Sequence, residues 1–222
     1  MNGSFTDTES STSQILCREG EFQPLEGQTG CILSNPGYYT DTLGSSYEKP
    51  CLPGTYSQVY GSTSQANCQP TPPGTFSLFG SVEPTSCLPG SFQPNWSEHS
   101  CLDSYPGYFT ESTNSTQQSP CQPGNFQPYS GQTSCLPATP GFFVGSPGSS
   151  DMTPCPPGSF QPDYNSSDCI ESTPGHYVDV NGSISEQPCP AGYTSSSQGA
   201  ISSATCLAVS PGNFSTETSG IG

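Results

Sequence analysis

The apolar residues of this chain are laid out as single aromatics, each two positions after a glycine: Phe5, Phe22, Tyr39, Tyr56, Phe76, Phe92, Phe109, Phe126, Phe143, Phe160, Tyr177 and Phe214. The glycines that set this phase are Gly37, Gly54, Gly74, Gly90, Gly107, Gly124, Gly141, Gly158, Gly175 and Gly212, each preceded by proline, with Gly3, Gly20 and Gly192 in phase but lacking it. Most steps are 17 residues; one is 16, and two of 20, Gly54 to Gly74 and Gly192 to Gly212, read as loop insertions. Thr194 breaks the aromatic series, with Tyr193 beside it. A fixed period of this kind is the mark of a stacked repeat.

Seven residues after the glycine the chain again carries glycine or asparagine, at Gly27, Gly44, Gly61, Asn114, Gly131, Gly148, Asn165, Gly182 and Gly199. Both residue types tolerate positive φ. Each unit therefore reads as a short strand, a turn and a returning strand, a small irregular hairpin. Pro, Gly, Ser and Thr interrupt every window in which a helix could form, so no helix is expected. The aromatics are expected to fill the space between one unit and the next, in preference to forming a sugar-stacking ladder.

A core of ordinary size is out of reach. Hydrophobic residues make up 29% of the chain, and Leu, Ile, Val and Phe only 33 of 222 residues. Units this poor in apolar surface are held by covalent staples, and 12 cysteines supply them. Metal ligation needs close pairs such as C-x2-C, whereas no two cysteines here lie closer than 14 residues. Alternate units carry one cysteine three before the glycine and one eleven after it: Cys17 with Cys31, Cys87 with Cys101, Cys121 with Cys135, Cys155 with Cys169. Cys51 with Cys68 and Cys189 with Cys206 span the insertions. The intervening units lack both positions together, with Ser34 and Glu48, or Ser104 and Gln118, in their place. Joint presence and absence favours six local bridges; pairing Cys31 with Cys51 and onward is the alternative that sequence leaves open. The predicted fold is thus all-β and disulfide-rich, an elongated rod of 17-residue hairpins alternately bridged and bare. It forms one array over 1–222: a partial unit 1–16, then 17–50, 51–86, 87–120, 121–154, 155–188 and 189–222.

Two basic residues, Arg18 and Lys49, face 18 acidic ones, a net charge of −16 that repels nucleic acid and anionic membrane. No apolar stretch approaches the length of a membrane span, and the segment before Cys17 has neither the basic nor the apolar region of a signal peptide. Since oxidised cysteines imply secretion, Met1 is expected to be internal to a longer chain. His99 and His176 lie 77 residues apart without neighbouring ligands and read as surface positions. With every cysteine assigned to a bridge no thiolate is available for catalysis, and Asp179-Val180-Asn181-Gly182 is too little for a calcium loop. No enzyme activity, cofactor or metal is expected.

Cys121-Gln122-Pro123-Gly124-Asn125-Phe126 through Gly131-Gln132-Thr133-Ser134-Cys135, and Cys155-Pro156-Pro157-Gly158-Ser159-Phe160, resemble the cysteine-rich ephrin-receptor-like repeats, relatives of EGF-like and TNF-receptor-like modules. The resemblance covers essentially the whole chain. It departs from the family where the next cysteine should stand, at Ser34, Thr71, Ser104, Ala138, Ser172 and Val209. The likeness implies an extracellular protein, of a kind that includes the repeat glycoproteins of mastigonemes, the hair-like flagellar appendages.

Six N-x-[S/T] sequons occur, at Asn2, Asn95, Asn114, Asn165, Asn181 and Asn213, three of them at or beside the predicted turn. Taken together, these features predict a subunit of an extracellular glycoprotein filament or matrix at the cell surface or on a flagellar appendage, its partners being further copies of itself and its own glycans. A spacer stalk for an adhesion or receptor protein is the alternative.

Overall fold

The computed structural model describes residues 1–7 and 13–209. It divides into two compact units, residues 1–103 with 110–118, and residues 104–109 with those from 119 onward. Among the described residues all β-structure is antiparallel and two-stranded, in hairpins whose strands are two residues long. Each first strand begins just after a phase glycine, as in Glu21–Phe22 paired with Ile32–Leu33, or Asn125–Phe126 paired with Leu136–Pro137. We name a hairpin by that glycine. The predicted disulfide-stapled all-β repeat is what the chain forms. Its only helical features among the described residues are the three-residue 3-10 turns Gln65–Asn67 and Ser203–Thr205, and these occupy the two insertions.

Strands of two residues are too short to be stable alone, so the backbone is satisfied largely by neighbours. In the first unit the Gly20 N–H donates to the Thr40 carbonyl (2.8 Å) and the Gln23 N–H to that of Ser45 (3.1 Å), which fastens the Gly20 hairpin to the Gly37 hairpin. A second set reaches past the adjacent hairpin. Gly44 N–H donates to Cys17 O and Gly61 N–H to Ser34 O, both at 2.8 Å. In the second unit the same places are taken by Gly124 to Val144 O (2.8 Å), Gln127 to Ser149 O (3.1 Å) and Gly148 to Cys121 O (2.8 Å). Within each unit, then, alternate hairpins stack on one another, and bridged hairpins form one column and bare hairpins the other.

Two glycine positions make this stacking possible. The phase glycine has φ between +76° and +91°, and a Cβ on Gly20 would run into the Gly61 carbonyl oxygen, one on Gly141 into that of Gly182. The second position, seven residues on, also lies at positive φ in all nine predicted places, and Gly80 and Ser97 (φ 61°) join it. Its N–H is the donor in the longer-range bonds, so this turn is docked by its backbone on an earlier hairpin.

The aromatics are not the centre of the fold. Apart from Phe92, which is buried, those described are half-buried. The innermost position is the next residue, three after the glycine: Gln23, Thr40, Ser57, Ser77, Gln93 and Thr110 in the first unit, and Gln127, Val144, Gln161, Val178 and Ser195 in the second, none more than 5% exposed. Successive strand residues face opposite ways, so an aromatic on one face puts its neighbour on the other. The interior is thus mostly polar, and Cys17, Cys51, Cys87, Cys121 and Cys155 are buried as well.

Candidate functional site

The chemistry of this chain is concentrated at the joints between hairpins, and there are two kinds. Cys51 closes the Gly37 hairpin, its N–H donating to Gly37 O (2.8 Å), and its sulfur is bonded to Cys68 of the Gly54 hairpin. The six bridges are the local ones: Cys17–Cys31, Cys51–Cys68, Cys87–Cys101, Cys121–Cys135, Cys155–Cys169 and Cys189–Cys206, with Cα separations of 5.7–5.9 Å. Each therefore fastens a bare hairpin to the bridged one after it. No described cysteine is free.

At the alternate joints, cysteine three before the glycine gives way to Ser34, Thr71, Ser104, Ala138 or Ser172, all fully buried. The Ser34 and Ser104 hydroxyls donate to Ser62 O and Gln132 O, each at 3.1 Å, and Ser172 to Ala200 O at 3.4 Å. The residue that replaces the second cysteine also crosses the joint. Glu48 accepts from the Asn35 N–H (2.7 Å) and Nδ2 (3.0 Å), and Glu186 from the Thr173 N–H (2.6 Å) and Oγ1 (2.8 Å). In the Gly141 hairpin Met152 Sδ lies 3.5 Å from Thr139 Oγ1 in the same relation. His176 belongs to this arrangement: Nδ1 is 3.1 Å from Thr173 Oγ1 and 3.7 Å from Glu186. It is a joint residue more than a surface one, whereas His99 is exposed.

A third device was hidden by its polarity. In every bridged hairpin without an insertion the buried residue is glutamine, and its amide braces the loop from inside. Gln127 Nε2 donates to Ser134 O (2.8 Å) while Oε1 accepts from the Tyr129 N–H (3.2 Å). Gln23, Gln93 and Gln161 do the same. Where the three-residue insertion is present the position holds Ser57 or Ser195, and the hydroxyl accepts from the N–H two residues on. Glutamine and insertion never occur together. Each supplies a filling for the same loop.

Among the sequons, Asn2, Asn95, Asn114, Asn165 and Asn181 are exposed; Asn213 lies outside the described residues. Asn114 and Asn165 hold left-handed backbone (φ 63° and 61°) at the docked turn and are nevertheless exposed. Lys49 and Asp41 form an ion pair (2.7 Å) on the bare Gly37 hairpin. The hydrogen bond from the ammonium holds the Asp41 carboxyl below its ordinary value, and the carboxylate raises Lys49. Among the described residues no group of three His, Cys, Asp or Glu side chains could hold a metal, and no helix is long and apolar enough to cross a membrane. A shallow recess between Met1, Ser4, Phe5, Thr6, Gln14, Gly27 and Gln28 has no acid, histidine or cysteine on its lining. The chain matches no family model and no curated protein.

Proposed function

We propose that this chain is a structural subunit of an extracellular glycoprotein filament or matrix, of the kind to which the ephrin-receptor-like resemblance points, and that it works as a scaffold and not as an enzyme. The observation that carries this reading is the repeated joint. Within each unit, successive described hairpins are joined by the same kind of backbone hydrogen bond at 2.7–3.2 Å, and alternate joints carry a disulfide. A surface that is the same at each step can be extended by more of the same sequence, within one chain or by another copy. Six disulfides suit an oxidising, secretory environment, and exposed Asn95, Asn114, Asn165 and Asn181 suit glycan attachment there. Electron microscopy of the purified, oxidised protein is expected to show fibres with a regular axial repeat. Monomers that stay dispersed at high concentration would overturn self-assembly and favour a spacer stalk.

A further inference from the structure

The described aromatics that follow the phase glycines are half-buried or, at Phe92, buried, but a second set is exposed. Tyr60 and Trp96 in the first unit, and Tyr129 and Tyr164 in the second, are 61–67% exposed. All four lie five or six residues after the glycine, in the loop of a bridged hairpin. In the bare hairpins of full length the sixth position holds Leu43, Thr113, Pro147 and Asn181, and the shortened Gly74 hairpin carries Phe79, a ring without a polar tip. Polar-tipped rings at the fifth or sixth position are thus found on four of the bridged hairpins and on no bare hairpin of full length; the bridged Gly20 and Gly192 hairpins have no ring there, and Tyr47, 61% exposed, stands ten residues after Gly37 in a bare loop.

These loops are held by hydrogen bonds on two sides. Beneath Trp96, Tyr129 and Tyr164 a buried glutamine holds the backbone N–H of residue 95, 129 or 163 at 3.0–3.2 Å, and beneath Tyr60 the Ser57 hydroxyl holds that of Val59 at 3.3 Å. On the other side the left-handed turn is docked two hairpins back, through Gly61, Ser97 and Asn165. A ring carried on such a support loses little freedom when something packs on it.

We propose that in each unit the disulfide-bearing hairpins present a binding row for an uncharged polysaccharide, each ring stacking on the C–H face of one sugar. The electron-rich face of Tyr or Trp attracts polarised C–H groups. Polar residues near the rings in sequence are partners for sugar hydroxyls: Gln58 near Tyr60, Glu98 near Trp96, Gln132 near Tyr129 and Asp163 beside Tyr164. A protein partner would want a continuous apolar centre, whereas Trp96, Tyr129 and Tyr164 are each followed in sequence by a polar residue, Ser97, Ser130 and Asn165. Charge sharpens the choice, because a chain of net charge −16 repels acidic polysaccharides and leaves neutral sugars unaffected.

Trp96 is the chain's one tryptophan and reports directly. The intact protein is run in native gels containing hydroxyethyl cellulose, laminarin or galactomannan, and its fluorescence is titrated with the same three polymers. Retardation in at least one gel is expected, with a change in Trp96 emission. W96A, Y129A and Y164A should each weaken binding by about tenfold, with the disulfide map unchanged, while L43A should bind as the parent does. Unretarded migration in all three gels overturns the proposal, as does retardation that the three ring variants leave intact. Loss of self-association in those variants without any polysaccharide binding would overturn it too, and assign the row to a second copy of the chain.

Discussion

The bridged and bare hairpins follow the same backbone path, yet they are closed by different chemistry. In the bridged Gly124 hairpin the joint is a sulfur–sulfur bond and the loop is braced by Gln127. In the bare Gly37 hairpin the same two positions hold Ser34 and Glu48, a hydroxyl donating forward and a carboxylate capping Asn35. Thr40 takes the place of glutamine, and its buried hydroxyl has no partner. The comparison teaches that a small buried residue stands at each joint from Cys17 to Ser172, while a covalent link is present only at alternate joints. Because each bare hairpin is bonded back and forward to bridged neighbours, it inherits order that its own contacts would not supply.

Four experiments test that inequality, in falling order of effect. Removing one bridge with C121A/C135A should cost about 3 kcal/mol, read as loss of hydrogen-exchange protection in the Gly107 and Gly124 hairpins; a change spread evenly over the chain would contradict local closure. Installing the missing bridge with S34C/E48C should form a seventh disulfide and stabilise by about 2 kcal/mol, less than an ideal bridge because the Ser34 hydrogen bond is lost. Peptide mapping without reduction would show the two introduced sulfurs joined to each other, and persistent free thiols would mean the two positions are not equivalent to the cysteine pair. Truncation by E48A or E186A should cost about 1 kcal/mol, and C17A/C31A should exceed either in thermal melts. Finally, T40V and T110V should each stabilise by up to about 1 kcal/mol, since Val144 and Val178 fill the corresponding places in other bare hairpins; a lowered melting temperature would show that the hydroxyls are satisfied.

A pH titration gives the smallest signal. Asp41 is held below its ordinary 3.8, so its contribution is present above that value and fades as pH falls through the lower, folded one. Lys49 is raised above 10.5, so its contribution is present below that value and is lost as pH rises through the folded one. In NMR the Asp41 carboxyl should titrate below 3.8, and K49A should return it there.

Much of this was legible because particular residue types have few other uses. Glycine or asparagine seven residues after the phase glycine announced positive φ, and all nine such places have it, whereas the close approach at Gly20 and Gly141 came only with the structure. Paired presence and absence of cysteines pointed to the bridges that the structure contains. What stayed hidden were residues whose role contradicts their usual place. Gln23, Gln93, Gln127 and Gln161 are amides of the kind normally found at surfaces, and only their coincidence with uninterrupted bridged units could have flagged them. Ser97 sits where phase demanded a left-handed residue, but serine rarely adopts that backbone. Glu48 looked like the mere absence of cysteine until its oxygens were seen on Asn35, and Glu186 does the same at Thr173.

Alternation of covalent and polar joints also sets how the chain would respond to being pulled. Tension between two points of the chain cannot open the loops behind sulfur, so only the segments between one bridge and the next, such as Cys31 to Cys51, can lengthen. Each such segment is about 70 Å long when taut, at ~3.5 Å per residue. Extension would therefore come in short, equal, self-limiting steps, and a thread built this way would absorb a jerk without unravelling.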